Sequence, residues 1–445
     1  MTNRFLVAIL FALLLASCGN DTEMAAARSD AAPQLASTSP FISASTVAQV
    51  QNQLRKLPTD DIWWAVNGED MAWNFRNLQQ IFPTVNVYRN GPVRPLVKRP
   101  MPKIAAFMVD TPEGPMTFES FIESEQSTTL GVVILHRGDI VFERYPRMQD
   151  YEKPVYWSVA KVFVSTVIRI LEERGEIDVS LPIDSYLPEL SESSFSGISV
   201  RNLLDMASGL DCSDEYETRD SCYYRYSMAI GDGFRSENAP DNPYDFAASL
   251  QVSSHAAPGE KFSYSGFNTF ILAWLVEKVT GMPFQDAFTK EIWYEIGAEA
   301  DAAYIAPRYG TPVTHGGFMA RMRDVARFGL LFTPSYGVVS DQQIVTDAHL
   351  DLLRSGGNPA LRANAGLPSV EESGIRHNVY QWDEIYANGN FFKGGWAGQG
   401  LLVNPQRDIV AVFTSYFKDD YSEATLEPRL FQVVDGVFGQ GDRSD

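Results

Sequence analysis

Two apolar stretches far apart in the chain have the character of β-hairpins. The first comprises residues 131–136 and 140–145, and the second comprises residues 401–403 and 409–413. β-Branched and aromatic residues bounded by short polar turns are typical of paired strands. The pattern predicts two hairpins, one on each side of a long middle segment.

That middle segment has the period of α-helices. Apolar residues recur three or four positions apart over Val159–Arg174, and Gly175 follows as a stop. Strands at both ends with helices between them predict an α+β protein, in which an antiparallel β-sheet is flanked by helices and an all-helical lobe is inserted at roughly residues 175–330. Further helices are predicted at Thr269–Thr280, Pro283–Ile296 and Phe318–Phe332.

The N-terminus has the pattern of an export signal. Arg4 precedes an unbroken apolar run from Phe5 to Ala16, which is too short to span a bilayer. Leu15–Cys18 resembles the bacterial lipobox, in which the cysteine is lipidated and becomes the mature N-terminus. We therefore expect residues 1–18 to be a lipoprotein signal peptide and Cys18 to anchor the protein to the membrane of a bacterial cell envelope, facing the periplasm. An ordinary signal peptide with an incidental cysteine is the alternative.

The rest of the chain divides by composition. Residues 19–45 are rich in Ala, Ser, Thr and Pro and cannot bury enough apolar surface to order themselves, so we predict a flexible tether. Five prolines between Pro83 and Pro102 predict an irregular N-terminal extension over residues 46–114, packed on the body. Residues 115–445 then form the main domain.

Charge and cysteine usage exclude several classes of function. The formal net charge of −20 argues against a nucleic-acid partner, because phosphate neutralisation needs a basic surface. Cys212 and Cys222 lie ten residues apart, and an oxidising compartment favours a disulfide between them, with free thiols as the alternative. No histidine lies at ligand spacing from them, and no metal-protease or phosphate-binding motif occurs. We expect neither a metal nor a cofactor.

Candidate chemistry begins at Ser158 and Lys161, at the start of the first predicted helix. Residues three apart share one face of a helix, so the amine can reach the hydroxyl. Burial beside other cations lowers the pKa of a lysine from its usual value near 10.4, which allows the amine to act as a base. A second Ser-x-x-Lys, Ser415–Lys418, follows a strand, where residues three apart point to opposite faces, and we assign it to structure.

Three later segments carry a family resemblance. Residues 200–210 are similar to an "LL-x-x-x-SGL" segment, residues 257–265 to a "PG-x-x-F-x-YS" stretch, and Lys393–Trp396 to a Lys-Thr-Gly strand. In this order they resemble the serine β-lactamase and penicillin-recognising superfamily, on its class C, esterase and 6-aminohexanoate-dimer hydrolase side. The resemblance covers roughly residues 115–435 and implies a β-lactamase/transpeptidase-like fold and a serine hydrolase that forms an acyl-enzyme.

The resemblance also implies a role for each matching residue. Ser158 would be the nucleophile, Lys161 its activating partner and Tyr264 a phenol that relays protons, and the sequence leaves open which of Lys161 and Tyr264 takes the first proton. The backbone N–H groups of Ser158 and Trp396 would form the oxyanion hole. A buried structural tyrosine at 264 and a plain glycine-rich hairpin over residues 393–400 are the alternatives. The residues that would bind substrate beside Trp396 are Lys393, Gly394 and Gly395.

Two departures from the family pattern bear on the substrate. Tyr-x-Asn becomes Tyr264-Ser265-Gly266, which loses an amide that Asn268 is expected to replace, and Lys-Thr-Gly becomes Lys393-Gly394-Gly395. Both changes weaken β-lactam recognition and spare the serine chemistry. We therefore favour a small ester or amide substrate. A β-lactamase, a peptidoglycan DD-peptidase and a non-catalytic envelope binding lipoprotein are the alternatives.

One loop is expected to cover the site. Residues 209–216 resemble a loop of the dimer-hydrolase branch that ends in a tyrosine over the active site, so Tyr216 is expected to close on the substrate. The alternative is a solvated acidic loop with one exposed aromatic side chain.

Overall fold

The computed structural model describes residues 45–57, 66–233, 239–419 and 426–439. The chain divides between Thr46 and Val47, and the description below concerns the unit that begins at Val47. Cys18, the predicted signal peptide and nearly all of the predicted tether lie outside the described residues. In the described ranges, no helix has both the length and the apolar character needed to cross a membrane.

Helices and strands alternate in blocks along the described chain. The α-helices are α1 (Val47–Lys56), α2 (Gly68–Asn77), α3 (Pro102–Ala105), α4 (Phe118–Glu123), α5 (Ala160–Glu173), α6 (Val200–Leu204), α7 (Cys222–Ile230), α8 (Pro243–Ala248), α9 (Gly266–Thr280), α10 (Phe284–Phe288), α11 (Met322–Leu330), α12 (Asp347–Ser355), α13 (Pro359–Asn364), α14 (Val370–Ser373) and α15 (Leu426–Phe438). The strands are β1 (Thr84–Val87), β2 (Met108–Val109), β3 (Met116–Thr117), β4 (Gly131–His136), β5 (Asp139–Arg144), β6 (Ala302–Ile305), β7 (Phe318–Met319), β8 (Ile375–Val379), β9 (Trp382–Tyr386), β10 (Phe391–Gly395), β11 (Gln399–Asn404) and β12 (Ile409–Thr414).

A seven-stranded antiparallel sheet organises the fold. Its strand order is β5-β4-β12-β11-β10-β9-β8, so the N-terminal hairpin β4–β5 joins the C-terminal hairpin β11–β12 through β4 and β12. In that pairing Val133 lies opposite Val412. The predicted α+β fold, an antiparallel sheet assembled from hairpins far apart in sequence and flanked by helices, is confirmed.

Both faces of the sheet are buried. Side chains alternate along a strand, and in β4 Val133 and Leu135 belong to one apolar core while Val132 and Ile134 belong to the other. The first core includes residues of α5, α9 and α11, and the second includes residues of α4 and α15. Burial on two faces explains why β4 and β12 are almost continuously apolar and do not alternate with polar residues.

The predicted all-helical lobe needs correction at its C-terminal end. The range 175–330 also contains β6, which pairs with β1, and β7, which pairs with β6, so that the three strands form a separate sheet. It also contains α11, which packs on the main sheet. The helix predicted at Phe318–Phe332 therefore begins only at Met322, because Phe318 and Met319 belong to β7. A buried strand that leads into an amphipathic helix produces one unbroken apolar pattern, which explains the error.

The predicted irregular extension also contains regular structure. In α2 and the turn after it, Met71, Phe75 and Leu78 are fully buried at a spacing that fits one face of a helix, and the prolines further along obscured this pattern. The Gly68 N–H donates to the Phe417 carbonyl at 2.8 Å, and the Val155 N–H donates to the Phe75 carbonyl at 2.9 Å. This part of the extension is thus hydrogen-bonded to the body. The domain boundary near residue 114 stays a prediction.

Candidate active site

Ser158 lies in a short 3-10 turn, Trp157–Val159, that leads directly into α5. Trp157 has a φ of 46°, which is rare for a bulky residue and is maintained only where the surroundings enforce it. Its indole packs edge-on against Phe75 and Trp396, with ring centroids 5.5 and 6.1 Å away. This packing fixes the turn, and the Ser158 side chain lines a cleft of about 780 Å³.

Lys161 lies one turn further along and is fully buried. Its Nζ donates to Ser158 Oγ at 2.9 Å and to the His315 carbonyl at 2.9 Å. Burial lowers the pKa of Lys161 to about 8, an effect that the charge of Asp214 opposes and that of Lys393 reinforces. Near physiological pH, an appreciable fraction of the protein molecules therefore carries Lys161 as a neutral amine, which can accept a proton.

Tyr264 lies between the two buried lysines. Lys393 Nζ donates to Tyr264 Oη at 3.0 Å, and the ammonium groups of Lys161 and Lys393 lie 4.8 and 4.7 Å from the centre of the Tyr264 ring. Burial raises the pKa of Tyr264 well above 10, and the charges of Asp383 and Asp214 add to this, whereas a hydrogen bond with Ser158 opposes it. The phenol is therefore neutral in the resting protein.

The structure thus brings Ser158, Lys161 and Tyr264 together in one cleft. Two predicted substrate contacts need correction. Lys393 is fully buried behind the phenol, so it is a partner of Tyr264 and not a lining residue. Asn268 is 2% exposed and its Nδ2 donates to Ser208 Oγ at 3.4 Å, because the first turns of α9 are buried all round. The other predicted substrate contacts, which do line the cleft, are Gly394, Gly395, Trp396 and Tyr216.

The end of β10 lies directly against the segment that precedes the nucleophile. A Cβ on Gly395 would lie 2.4 Å from the carbonyl oxygen of Tyr156, so any other residue there would require the backbone to shift. Trp396 follows at once, so its backbone and that of Ser158 border the same wall of the cleft. This proximity agrees with an oxyanion hole made of their two N–H groups, which stays a prediction.

A disulfide joins Cys212 and Cys222, so these two residues are not free thiols. It closes the loop that carries Asp214 and Tyr216 into the cleft. Tyr216 Oη donates to Tyr223 Oη at 3.1 Å, and the two rings meet edge to face at 5.1 Å. Tyr216 is therefore a packed wall of the cleft and not a solvated aromatic residue.

Sequence reasoning missed four residues that surround the catalytic groups. Asp383 Oδ1 accepts from Lys393 Nζ at 2.5 Å, and Asp214 Oδ1 accepts from the Gly266 N–H at 2.6 Å. His315 lies with Nε2 3.3 Å from Asp232 Oδ2 and Nδ1 3.0 Å from Tyr226 Oη. The four, Asp214, Asp232, His315 and Asp383, lie in separate segments of the sequence, and no local spacing connects them to Ser158.

Acidic residues and histidines such as these are potential metal ligands. In the ranges that the structure describes, no group of His, Cys, Asp and Glu has an arrangement that would hold a metal ion.

The family model for "Beta-lactamase" matches residues 116–433, which is well over half of the chain. The chain belongs to the β-lactamase family. The family resemblance seen in the sequence is thereby confirmed, and this β-lactamase-family protein is a serine hydrolase.

The relatives and structural neighbours of this β-lactamase-family chain include several hydrolases. The 6-aminohexanoate-dimer hydrolase of Paenarthrobacter ureafaciens is 28% identical over 363 residues, which cover 81% of this chain and 89% of the relative. A solved Bacillus anthracis structure assigned as a 6-aminohexanoate-dimer hydrolase has a TM-score of 0.73 at 22% identity and covers 87% of this chain and 99% of its own. The structure of EstCE1, a hydrolase with promiscuous acyltransferase activity, has a TM-score of 0.56 at 17% identity, and the match covers 72% of this chain and 96% of EstCE1. The two structures establish the β-lactamase/transpeptidase-like fold.

Proposed function

We propose that the protein hydrolyses small amides and esters through an acyl-enzyme on Ser158, with a preference for acyl groups that carry an ammonium group. The observation that carries the hydrolytic part is the chain of contacts in one cleft. Lys161 Nζ lies 2.9 Å from Ser158 Oγ, and Lys393 Nζ lies 3.0 Å from Tyr264 Oη. Tyr264 also shares a hydrogen bond with Ser158, so nucleophile, base and proton relay are within reach of one another.

Acylation uses Lys161 as the base. The neutral amine takes the proton from Ser158 Oγ as the oxygen attacks the substrate carbonyl carbon, and the carbonyl oxygen becomes an oxyanion. The raised pKa of Tyr264 favours this assignment over a phenolate base. As the C–N or C–O bond breaks, the neutral phenol gives its proton to the leaving group and recovers one from the Lys161 ammonium, which restores the neutral amine.

Deacylation reverses these transfers with water. A water molecule loses a proton to the Lys161 amine and attacks the acyl carbon, and the ester bond to Ser158 Oγ breaks. The serine oxygen takes the proton back, and the acid product leaves. The net reaction consumes one water and leaves the protein unchanged.

The surroundings of Gly266 disfavour a β-lactam substrate. The family's Tyr-x-Asn pattern places an amide side chain at this position, but a Cβ on Gly266 would lie 2.4 Å from Tyr223 Oη and 2.9 Å from the His315 ring. Both neighbours are buried, so a side chain at position 266 would fit only if they moved. Since Asn268 is buried and does not line the cleft, no side-chain amide replaces the missing one from these positions.

Acidic residues of the cleft support the preference for an ammonium group. Asp232 is 1% exposed and lines the cleft, and within the described part of the chain its Oδ1 has no hydrogen-bond partner. A buried carboxylate oxygen without a partner is costly, and a substrate ammonium would satisfy it. The other acids that line the cleft are Asp214, Glu215 and Glu217, and the cations that line it are Lys161 and Arg219.

A matched pair of substrates tests both parts of the proposal. We expect 6-aminohexanoyl p-nitroanilide to be hydrolysed with a higher kcat/KM than hexanoyl p-nitroanilide, because only the first carries an ammonium group. Asp232→Asn should reduce this ratio by on the order of tenfold, as for the loss of one charge-assisted hydrogen bond. Reaction with a fluorophosphonate followed by peptide mass spectrometry should locate the label on Ser158.

Ser158→Ala is the control for both assays and should abolish label and turnover. Equal rates on the two anilides would refute the ammonium preference and leave the hydrolase intact. Rapid hydrolysis of a chromogenic cephalosporin would favour a β-lactamase. A wild-type protein without label at Ser158 would point to a binding protein.

We propose, from the sequence, that this hydrolase is lipid-anchored in the bacterial envelope through Cys18. The support is the similarity of Leu15–Cys18 to a lipobox after a short apolar run. Growth with radiolabelled palmitate should label the wild-type protein, and Cys18→Ala should remove both the label and the membrane association. Labelling that persists in the variant would contradict the anchor.

A further inference from the structure

Asp383 lies outside the predicted site, on β9, the neighbour of β10 in the main sheet. Its Oδ1 accepts from Lys393 Nζ at 2.5 Å, and its Oδ2 accepts from the Gly394 N–H at 3.1 Å. One carboxylate thus binds the side chain of Lys393 and the backbone of Gly394, at the point where β10 reaches the cleft.

The buried ammonium of Lys393 requires this partner. Lys393 is fully buried, whereas the Asp383 side chain is 26% exposed. Burial lowers the pKa of Lys393, and the charges of Asp383, Asp214 and Glu384 oppose that effect, with Asp383 the strongest. An ammonium buried without an acid gives up its proton, because desolvation penalises the charged form. Among the described residues, Asp383 is the carboxylate that bonds Lys393 directly.

We infer that Asp383 is a positioning residue for the reaction, acting through Lys393. It holds Lys393 as a charged donor against Tyr264 Oη, and it thereby keeps the phenol oriented for proton transfer at Ser158. The inference rests on the proposed acyl-enzyme function. The charged groups that face Lys393 from other elements are Lys161 on α5 and Asp214 in the disulfide loop, and Glu384 adjoins Asp383 on β9.

Asp383→Asn tests the inference with little change of shape. The asparagine oxygen can still accept from the Gly394 N–H, but the charge on Lys393 loses its counter-ion. We expect kcat/KM on the anilide to fall on the order of 10- to 100-fold, as for the weakening of one proton-transfer partner. Asp383 raises the pKa of Lys393, so its removal lowers that pKa, and Lys393 loses its proton at a lower pH. The rate at which the fluorophosphonate labels Ser158 falls at high pH as Lys393 loses its proton, and we call this fall the alkaline limb. In Asp383→Asn the alkaline limb should therefore lie at lower pH.

The adjacent residue offers a matched control. Glu384 is an acid on the same strand that bonds Tyr386 Oη and not Lys393. Glu384→Gln should leave the alkaline limb nearly in place, and Asp383→Glu should restore much of the wild-type rate. Circular dichroism establishes that each variant is folded.

A double-mutant cycle separates the action through Lys393 from a local effect on the strand. In a Lys393→Met background, Asp383→Asn should have no further effect on the alkaline limb. The inference is wrong if Asp383→Asn lowers the labelling rate equally in both backgrounds. It is also wrong if Asp383→Asn leaves the alkaline limb of Ser158 labelling where it is in the wild-type protein. In either case, labelling of Ser158 in the wild-type protein means that the proposed function stands. Failure of the wild-type protein to label at Ser158 would overturn the proposed function and this inference together.

Discussion

Replacing Lys161 with methionine should lower kcat/KM on a short-chain ester by on the order of 10³-fold or more, because the variant has no base for Ser158. Methionine has nearly the length of the lysine stem and suits the buried site, so the fold should survive. In the wild-type protein the amine must be neutral to accept the proton. Since the pKa of Lys161 lies at about 8, activity should rise with pH up to that value and fall about tenfold per unit below it. Initial rates between pH 5 and 9 measure this acid limb.

The second Ser-x-x-Lys provides an internal control. Lys418 is exposed and its Nζ donates to the Glu125 carbonyl at 2.8 Å, while Ser415 is buried and bonds Thr128. Lys418→Met removes the same charge from an identical sequence motif and should leave the rate and its pH dependence unchanged. An equal loss of kcat/KM in Lys161→Met and Lys418→Met would contradict the assignment of Lys161 as the base.

The contrast between the two motifs shows what the sequence could reveal. Ser158 and Lys161 lie on one helical turn, so their proximity follows from local spacing and was predictable. Tyr264 was found through a resemblance to known segments and not through any local rule. The buried faces of the sheet were likewise predictable, because each hairpin carries a continuous apolar run.

The pairing of Asp383 with Lys393 was not predictable in this way. It depends on the register of β9 against β10, in which Glu384 lies opposite Phe392. The β8–β9 pairing is irregular, with register shifts between Ile375 and Val379, and this irregularity breaks the alternation that identifies strands in a sequence. The acids around Lys161 depend in the same way on loops that meet only in three dimensions.

The close contact at Gly395 leads to the other large expected effect. Gly395→Ala would place a Cβ 2.4 Å from the Tyr156 carbonyl oxygen and 2.9 Å from the Gln399 Cβ, so β10 must move away from the turn that carries Ser158. The two N–H groups of the predicted oxyanion hole would then separate, and the loss of one such donor costs on the order of 10²- to 10³-fold in kcat. We expect a loss of this size for ester hydrolysis in a protein that is still folded, measured by kcat together with circular dichroism.

Gly394→Ala is the graded comparison for this change. A Cβ on Gly394 would make only ordinary contact, 3.4 Å from the Phe392 ring, so the strand need not move and the loss of kcat should be much smaller. Such a difference in kcat between the two variants would be due to the position of the backbone at the end of β10. It would not be due merely to an added methyl group in the cleft. If Gly395→Ala kept the kcat of the wild-type protein, the oxyanion hole would have to be built from groups other than the N–H of Trp396.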